Sequence, residues 1–396
     1  MIELDGRLRA LRDHARAWAD SLRPHALEAD RDPDSLDRYL ELPAFSRVSC
    51  LQIPPEYNDD PLEAGGHRYY LMSPLERVVC FEEMARGDLG LLLGAPGAPM
   101  AGVLVAELGD DAQKEWFYGY IRKRPTWTFF GLTEPTGGSA ALDLKTTLTP
   151  RSDGASWLLH GAKRHVGNAT RADVGVIFAR SGKGPLALRA VLVEAGSPGF
   201  TATPVDTLGL RAARLGEITL DSVEVPAERV LGQHLTSTRR GMWGWLRTFN
   251  LLRPTVAAMG IGVAQAAYEY VVTSRRVLRQ DEQIRLAGMG QRIEAVRQLT
   301  RRAAMAVEAN PSEGYLASAA KMRAARVAEE VTMSALDFFG PGALLEHPLL
   351  EKWARDARGI EYMEGTTNVQ RLNVFAGLSR GRLGADETGG PPGSRP

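Results

Sequence analysis

Cysteine is scarce in this chain: two in 396 residues, Cys50 and Cys80. Their spacing fits neither a zinc cluster nor a redox pair, so a disulfide framework or a thiolate metal site cannot organise the fold. The expectation is two reduced, buried thiols in a cytoplasmic protein. Net charge is also missing, because 48 Lys and Arg balance 48 Asp and Glu. A balanced chain lacks the basic face that broad nucleic-acid binding needs, although a local basic patch for a phosphorylated ligand remains compatible. No apolar run approaches the roughly 18–20 residues that span a bilayer. The N-terminus, MIELDGRLRALRDHARAW, is charged and has no secretory h-region. Seven histidines are scattered without HExxH-like spacing, so no metal is expected. There is no GxxxxGK[ST] phosphate loop, no strand–GxGxxG–helix unit and no GxSxG elbow. Gly260 and Gly262 fall inside a helical pattern, where they are expected to let helices approach closely.

What is present is ordered in three parts. Leu4, Leu8, Leu11, Ala15, Trp18 and Leu22 recur at steps of four and three, which puts one apolar stripe on a helix. Residues 73–90 read as another helix, with Ser73 as N-cap, Pro74 in the first turn, and Gly87 or Gly90 closing it. Residues 91–105 are small and apolar and suit a buried helix-turn-helix. From Thr126 to about Gly232 the pattern changes to short β-rich runs separated by Gly, Pro, Asp and Ser, with a hairpin signal at Asp153-Gly154. This segment predicts a small antiparallel β domain. From about Gly241 the helical period returns. Residues 253–272 are apolar on most faces, as suits the centre of a bundle. Leu316, Ala320, Ala324, Val327, Val331, Ala335 and Phe338 repeat the four-three stripe. The fold class is therefore α+β: an N-terminal helical domain (1–125), a central β domain (126–235), a C-terminal helical bundle (236–382), and a tail (383–396) too polar and Gly/Pro-rich to bury a core.

Three segments carry chemistry. Phe130 to Ser139 (FGLTEPTGGS) combines a strand ending in Thr133 with a glycine turn that can present N–H groups and hydroxyls to an anionic or carbonyl-rich ligand. Gly161 to Asn168 (GAKRHVGN) is the second. Arg355-Asp356-Ala357, with Glu364-Gly365-Thr366 following eight residues after Asp356, is the third. Together with Phe249, Arg253-Pro254 and Gly262 to Gln265, Gly209 to Arg211, and Val223 to Gly232, these motifs resemble the acyl-CoA dehydrogenase family in order and spacing, over roughly residues 5–380.

The resemblance implies an FAD enzyme that dehydrogenates an acyl thioester. Glu364 would remove the α-proton while a hydride leaves the β-carbon for flavin N5. An α-proton is weakly acidic, so the thioester carbonyl must be polarised and a water-poor pocket must raise the base's pKa. The family uses the backbone N–H of the same Glu as one donor. Residue by residue, Phe130, Leu132 and Thr133 would line the flavin ring. Gly138 and Ser139 would approach the flavin or the pantetheine arm, and His165, Val166 and Gly167 would lie behind the ring. Thr366 and Asn368 would face the pyrophosphate-ribose side. Ser139, Phe249, Arg253 and Gly365 would meet the substrate. Some relatives carry the base just before the central arginine, where this chain has Leu252. The acyl group would be carried by coenzyme A or an acyl carrier protein, with an electron-transfer flavoprotein or oxygen as acceptor. A homodimer or homotetramer would form through the C-terminal bundle.

The chain departs from the family at several positions. His165 stands for Trp or Phe, Gly167 for Thr, Met363 for an aromatic, and Asp337 for a Gln that helps hold the neighbouring subunit's FAD. The loop between Arg275 and Leu286 is shortened where relatives clamp the adenine half of FAD. These losses suit a specialised biosynthetic branch. They leave two other readings open: a flavin oxidase or monooxygenase on the same fold, and a non-catalytic relative that has lost FAD. Retention of Glu364 favours the dehydrogenase.

Overall fold

The computed structural model describes residues 2–138, 143–152, 154–240 and 244–379. The chain opens with α1 (Gly6–Leu22), α2 (Ala26–Arg31) and α3 (Pro43–Ser46). Asp5 caps α1 by accepting from the Leu8 N–H at 2.7 Å. The stripe Leu11, Ala15, Trp18 and Leu22 is buried as the spacing requires. A two-stranded ribbon, β1 (Leu62–Ala64) and β2 (His67–Tyr69), precedes α4 (Pro74–Gly94), α5 (Pro99–Leu108) and α6 (Asp111–Arg122). Ser73 does cap α4, but neither Gly87 nor Gly90 ends it. The helix breaks at Asp88, where the backbone is extended, and resumes to Gly94. Gly87 has a different use: a Cβ there would sit 2.6 Å from the Ala19 backbone, so its bare edge lets α1 lie against α4.

Among the described residues the central sheet has seven strands: β3 (Thr128–Gly131), β4 (Thr147–Pro150), β5 (Ser156–Val166), β6 (Val174–Arg180), β7 (Leu188–Glu194), β8 (Phe200–Pro204) and β9 (Gly216–Pro226). Their order is β3-β6-β4-β5-β9-β8, with β7 on β6. β3 ends at Gly131, two residues before the expected Thr133. The sheet is not wholly antiparallel, because β3 runs parallel to β6, with Phe130 opposite Val176. The long excursion through β4 and β5 supplies the crossover that a parallel pair needs. Gly154 (φ +68°) turns the β4–β5 hairpin; Asp153 lies outside the described residues.

The C-terminal bundle contains α7 (Gly244–Ser274), α8 (Gln280–Ala309), α9 (Tyr315–Leu336), α10 (Ala343–Glu346), α11 (Pro348–Ala357) and α12 (Thr367–Ser379). Helix α7 is buried on nearly every face from Thr248 to Ala267 and packs against α4, α8 and α9. A Cβ on Gly262 would lie 2.2 Å from the Glu82 carbonyl oxygen of α4, and one on Gly260 would lie 3.3 Å from that of Ala324 on α9. Both glycines are therefore close-approach positions. The expected boundaries near residues 125 and 235 fall in the links between α6 and β3 and between β9 and α7. The tail 383–396 lies outside the described residues. Among the described residues no single helix is long and apolar enough to cross a membrane. Cys80 is buried and Cys50 only half-buried, which corrects the expectation of two buried thiols.

The three parts meet at a buried cation. Lys352 Nζ donates to Asp88 Oδ2 and Asp356 Oδ2, both at 2.6 Å, and all three side chains are out of solvent. Asp356 Oδ1 also accepts from the Leu210 N–H at 2.6 Å. Asp88 thus contributes from α4, Leu210 from the β domain, and Lys352 with Asp356 from α11. Arg355 adds bonds to Asp30, Glu351 and the Leu208 carbonyl. The Arg-Asp-Ala motif is a structural joint, and the chain leaves it directly for Glu364.

Candidate active site

A short 3₁₀ turn (Arg358–Tyr362) follows α11, then Met363 in extended backbone, and Glu364 in left-handed backbone, φ +49°. A non-glycine residue is rare there and persists only when its surroundings hold it. Three side chains supply that hold. Gln370 Nε2 donates to the Glu364 and Gly365 carbonyls, both at 2.9 Å. Arg253 Nε donates to the Glu364 carbonyl at 3.3 Å. Lys321 Nζ donates to the Glu361 and Gly365 carbonyls, both at 2.7 Å. Gly365 follows at φ +98°, where a side chain would be strained and its Cβ would press on Gln370.

The Glu364 side chain is 8% exposed, and its Oε2 has no hydrogen-bond partner among the described residues. Burial pushes its carboxyl up to about 7, with Lys321 and Arg253 opposing the rise. The two cations are depressed by burial in turn, Arg253 to about 10 and Lys321 to about 8. A carboxylate with no donor of its own, two nearby cations and little water is poised to exchange a proton near neutrality.

A continuous wall runs from this turn to the β domain. Arg253 Nη1 bonds Asn250 Oδ1 at 2.6 Å, and the guanidinium lies over Phe249, 6.0 Å from the ring centroid. Phe249 faces Phe130 at 6.0 Å, and Phe130 faces Phe178 at 5.2 Å. Phe249 and Arg253 are buried, whereas Phe130, Leu132 and Thr133 are half-buried. The strand beyond Phe130 is strapped to β5. Lys163 Nζ donates to the Leu132 carbonyl at 3.1 Å and to Glu134 at 2.9 Å, and the Arg164 N–H donates to the Thr133 carbonyl at 2.8 Å. Glu134 also accepts from Thr146 and the Lys145 N–H. The glutamate of the Leu-Thr-Glu-Pro run is therefore a buried anchor, its carboxyl lowered by these bonds against the opposing effect of burial. Gly137 and the exposed Gly138 close the turn; Ser139 lies outside the described residues.

Next to Thr133, β5 carries a bulge against β9 between Lys163 and Val166. Bulges re-aim side chains. Here His165 takes φ +58° and is exposed, while Val166 is buried. Gly167 is open, since a Cβ would touch only Leu215 at 3.9 Å. On the other side of Glu364, Thr366 is half-buried and Asn368 exposed at the start of α12. Glu361 occupies part of that N-terminus by accepting from the Thr367 N–H at 2.7 Å. Leu252 is packed with Val103, Leu251, Val307 and Ala317. Asp337 is turned to Arg285 at 3.1 Å, and Arg285 lies over the Phe338 ring. In the short link after α7, Arg275 and the Arg279 N–H both bond Glu282.

Sequence reasoning missed Lys321, Gln370, Asn250, Glu361 and Lys163. Lys321 had a signal, because it falls on the line Ala317, Lys321, Ala324, Ala328 and so on the buried face of α9. Gln370 had none.

The fold and this turn define an oxidoreductase architecture built around a buried carboxylate. Family models for the acyl-CoA dehydrogenase middle domain and C-terminal domain match residues 129–223 and 239–379. The short-chain specific acyl-CoA dehydrogenase of Megasphaera elsdenii is 30% identical over 319 residues, covering 77% of this chain and 82% of its own. The bovine mitochondrial short-chain specific enzyme is 28% identical, covering 95% and 91%. The solved butyryl-CoA dehydrogenase of M. elsdenii superposes with a TM-score of 0.81 at 28% identity, covering 96% and 100%. The chain belongs to the acyl-CoA dehydrogenase family of FAD-dependent oxidoreductases.

Proposed function

We propose that the protein dehydrogenates an acyl thioester between its α- and β-carbons, with Glu364 as the base. The observation that carries this reading is the buried Glu364 carboxyl, with an unpartnered oxygen, in a strained turn where burial pushes it up to about 7. A general base works best when its pKa lies near the working pH. The Glu364 backbone N–H finds no acceptor among the described residues, so the same turn can donate to the thioester carbonyl and raise the acidity of the α-proton. Arg253 holds that turn from below, and Phe249 closes the wall against water. Gly365 allows the substrate to approach the backbone, and by the family resemblance Ser139 would also meet it.

The donor set fits FAD. Phe130 and Leu132 leave apolar surface uncovered, Gly167 has open space where a side chain would intrude, a Cβ on Gly138 would crowd Thr133 at 3.1 Å, and Thr133 carries a hydroxyl at the same edge. With His165 and Val166 they would hold the ring, and Thr366 and Asn368 the phosphate-ribose end. When bound, FAD supplies the acceptor for the hydride leaving the β-carbon. The thioester would be presented by coenzyme A or a carrier protein, and an electron-transfer flavoprotein or oxygen would take the electrons onward. A homodimer or homotetramer is supported by the exposed apolar residues Tyr362, Leu372, Phe375 and Leu378 on the C-terminal bundle. Two free cysteines suit the cytoplasm.

The test is the visible spectrum of the purified protein, before and after anaerobic addition of a panel of acyl thioesters. Flavin bands that bleach in the wild type and persist in Glu364→Gln support the reading. A colourless protein that FAD cannot reconstitute, or a Glu364→Gln variant that bleaches as fast as wild type, overturns it.

A further inference from the structure

Lys321 belongs to α9, 43 residues before Glu364, and its side chain is wholly out of solvent. A buried ammonium is expensive unless it is hydrogen-bonded and paired. Its hydrogen bonds go to two main-chain carbonyls, those of Glu361 and Gly365, at 2.7 Å each. No carboxylate lies within ion-pair distance of it among the described residues. The two carbonyls bracket Glu364 on either side, so one ammonium ties both ends of the turn that carries the base. The neighbouring Glu361 carboxylate is spent on Thr367, whose N–H and hydroxyl it accepts. The charge on Lys321 bears on the carboxylates of both Glu361 and Glu364.

We propose that Lys321 is a positioning residue for the reaction: it pins the Glu361–Gly365 turn from α9 and adds a positive charge that favours the ionised form of the Glu364 carboxyl. The proposal rests on the reading of Glu364 as the base. The charged groups bearing on Glu364 come from two helices, Arg253 on α7 and Lys321 on α9, while α12 contributes the uncharged Gln370. The charges bearing on Lys321 are Glu361, Glu364 and Arg253. Burial alone favours the protonated acid, and a protonated Glu364 cannot accept the α-proton. Arg253 and Lys321 oppose that, and without Lys321 one of the two opposing charges is gone.

The test compares wild type, Lys321→Met, Lys321→Arg and Glu364→Gln as FAD-loaded proteins, following kcat/KM against pH with a thioester that bleaches the wild-type flavin. Thermal unfolding of each is followed alongside. Lys321→Met is expected to lose about tenfold or more in kcat, and the acid limb of its profile is expected to move to higher pH by about one unit. Lys321→Arg keeps the charge and is expected to leave the limb where wild type has it. A folded Lys321→Met whose acid limb coincides with wild type overturns the proposal. Should Lys321→Met not fold, Lys321→Gln carries the same comparison, and failure of both neutral variants to fold assigns Lys321 to the fold alone and overturns it. The underlying reading fails separately, through a wild type that no thioester bleaches or a Glu364→Gln variant that remains active.

Discussion

Arg253 and Glu364 are 111 residues apart in the chain, yet the guanidinium of one donates to the main-chain carbonyl of the other at 3.3 Å. The bond joins the central helix α7 to the turn before α12. It engages the backbone of Glu364 and leaves Oε2 of the carboxylate unpartnered. The turn can thus be held rigidly without consuming the group that is to react, and removal of the side-chain charge should leave the turn in place.

Glu364→Gln is therefore expected to fold, to bind FAD, and to lose activity by about 10²–10⁴-fold, the usual contribution of a positioned base. The amide keeps the shape of the carboxyl but cannot take the α-proton. Flavin content by absorbance and anaerobic bleaching rates separate the two effects. A variant without flavin would place Glu364 in cofactor retention instead.

The pH dependence follows from the same burial. Catalysis by Glu364 needs the carboxylate, so kcat/KM is expected to rise with pH through about 7. Stability runs the other way. The carboxyl titrates near its ordinary value of 4.5 when unfolded and near 7 when folded. Between these values the native state holds a proton that the unfolded state has released, so its contribution to stability is complete below about 4.5 and is lost as pH rises through 7. Thermal unfolding from pH 4.5 to 8 should show wild type losing stability relative to Glu364→Gln. Parallel curves would mean that the carboxyl is not shifted upward.

Much of this architecture was legible in the sequence because it is local. Ser73-Pro74, the α1 stripe and the apolar surround of residues 253–272 announce helices by period and capping chemistry alone. The Glu364 segment was legible through its motif. What stayed hidden depends on partners far along the chain. Nothing near Gly87 says that Ala19 lies against it, so it reads as a helix stop. The parallel pairing of β3 with β6 depends on where a long crossover returns. Lys321 and Gln370 act on carbonyls of a turn in another element, and main-chain acceptors leave no trace in residue identity. The Arg-Asp-Ala motif was visible, but its role was not, because Asp88 and Leu210 come from two other parts of the molecule.

That joint makes a stability prediction. Lys352→Met would leave Asp88 and Asp356 facing each other in the core without their cation. Burial already raises the Asp88 carboxyl, with Lys352 opposing that rise. Removing one partner of a buried charge cluster typically costs about 3–5 kcal/mol. A loss of that size is expected in urea unfolding of Lys352→Met. The triple change Asp88→Asn, Lys352→Met, Asp356→Asn should recover part of it, because no charge is then stranded. A single variant as stable as wild type would show that the cluster is not what joins the three parts.

Gly262→Ala tests the packing that places the wall of the site. The added methyl would lie 2.2 Å from the Glu82 carbonyl oxygen and 2.9 Å from the Arg86 nitrogen, both main-chain atoms of α4. Neither can swing aside as a side-chain end could, so α7 must move away from α4. Overpacking of this kind costs about 1–3 kcal/mol. Helix propensity favours alanine by about 1 kcal/mol, which offsets only part of that. The expected outcome is a lower unfolding midpoint. Because Phe249 and Arg253 ride on the same helix, the variant should also have a higher KM for the thioester, while the pH at which its kcat/KM turns on stays that of wild type. A stabilised variant with unchanged KM would mean that α7 and α4 do not approach as closely as Gly262 allows.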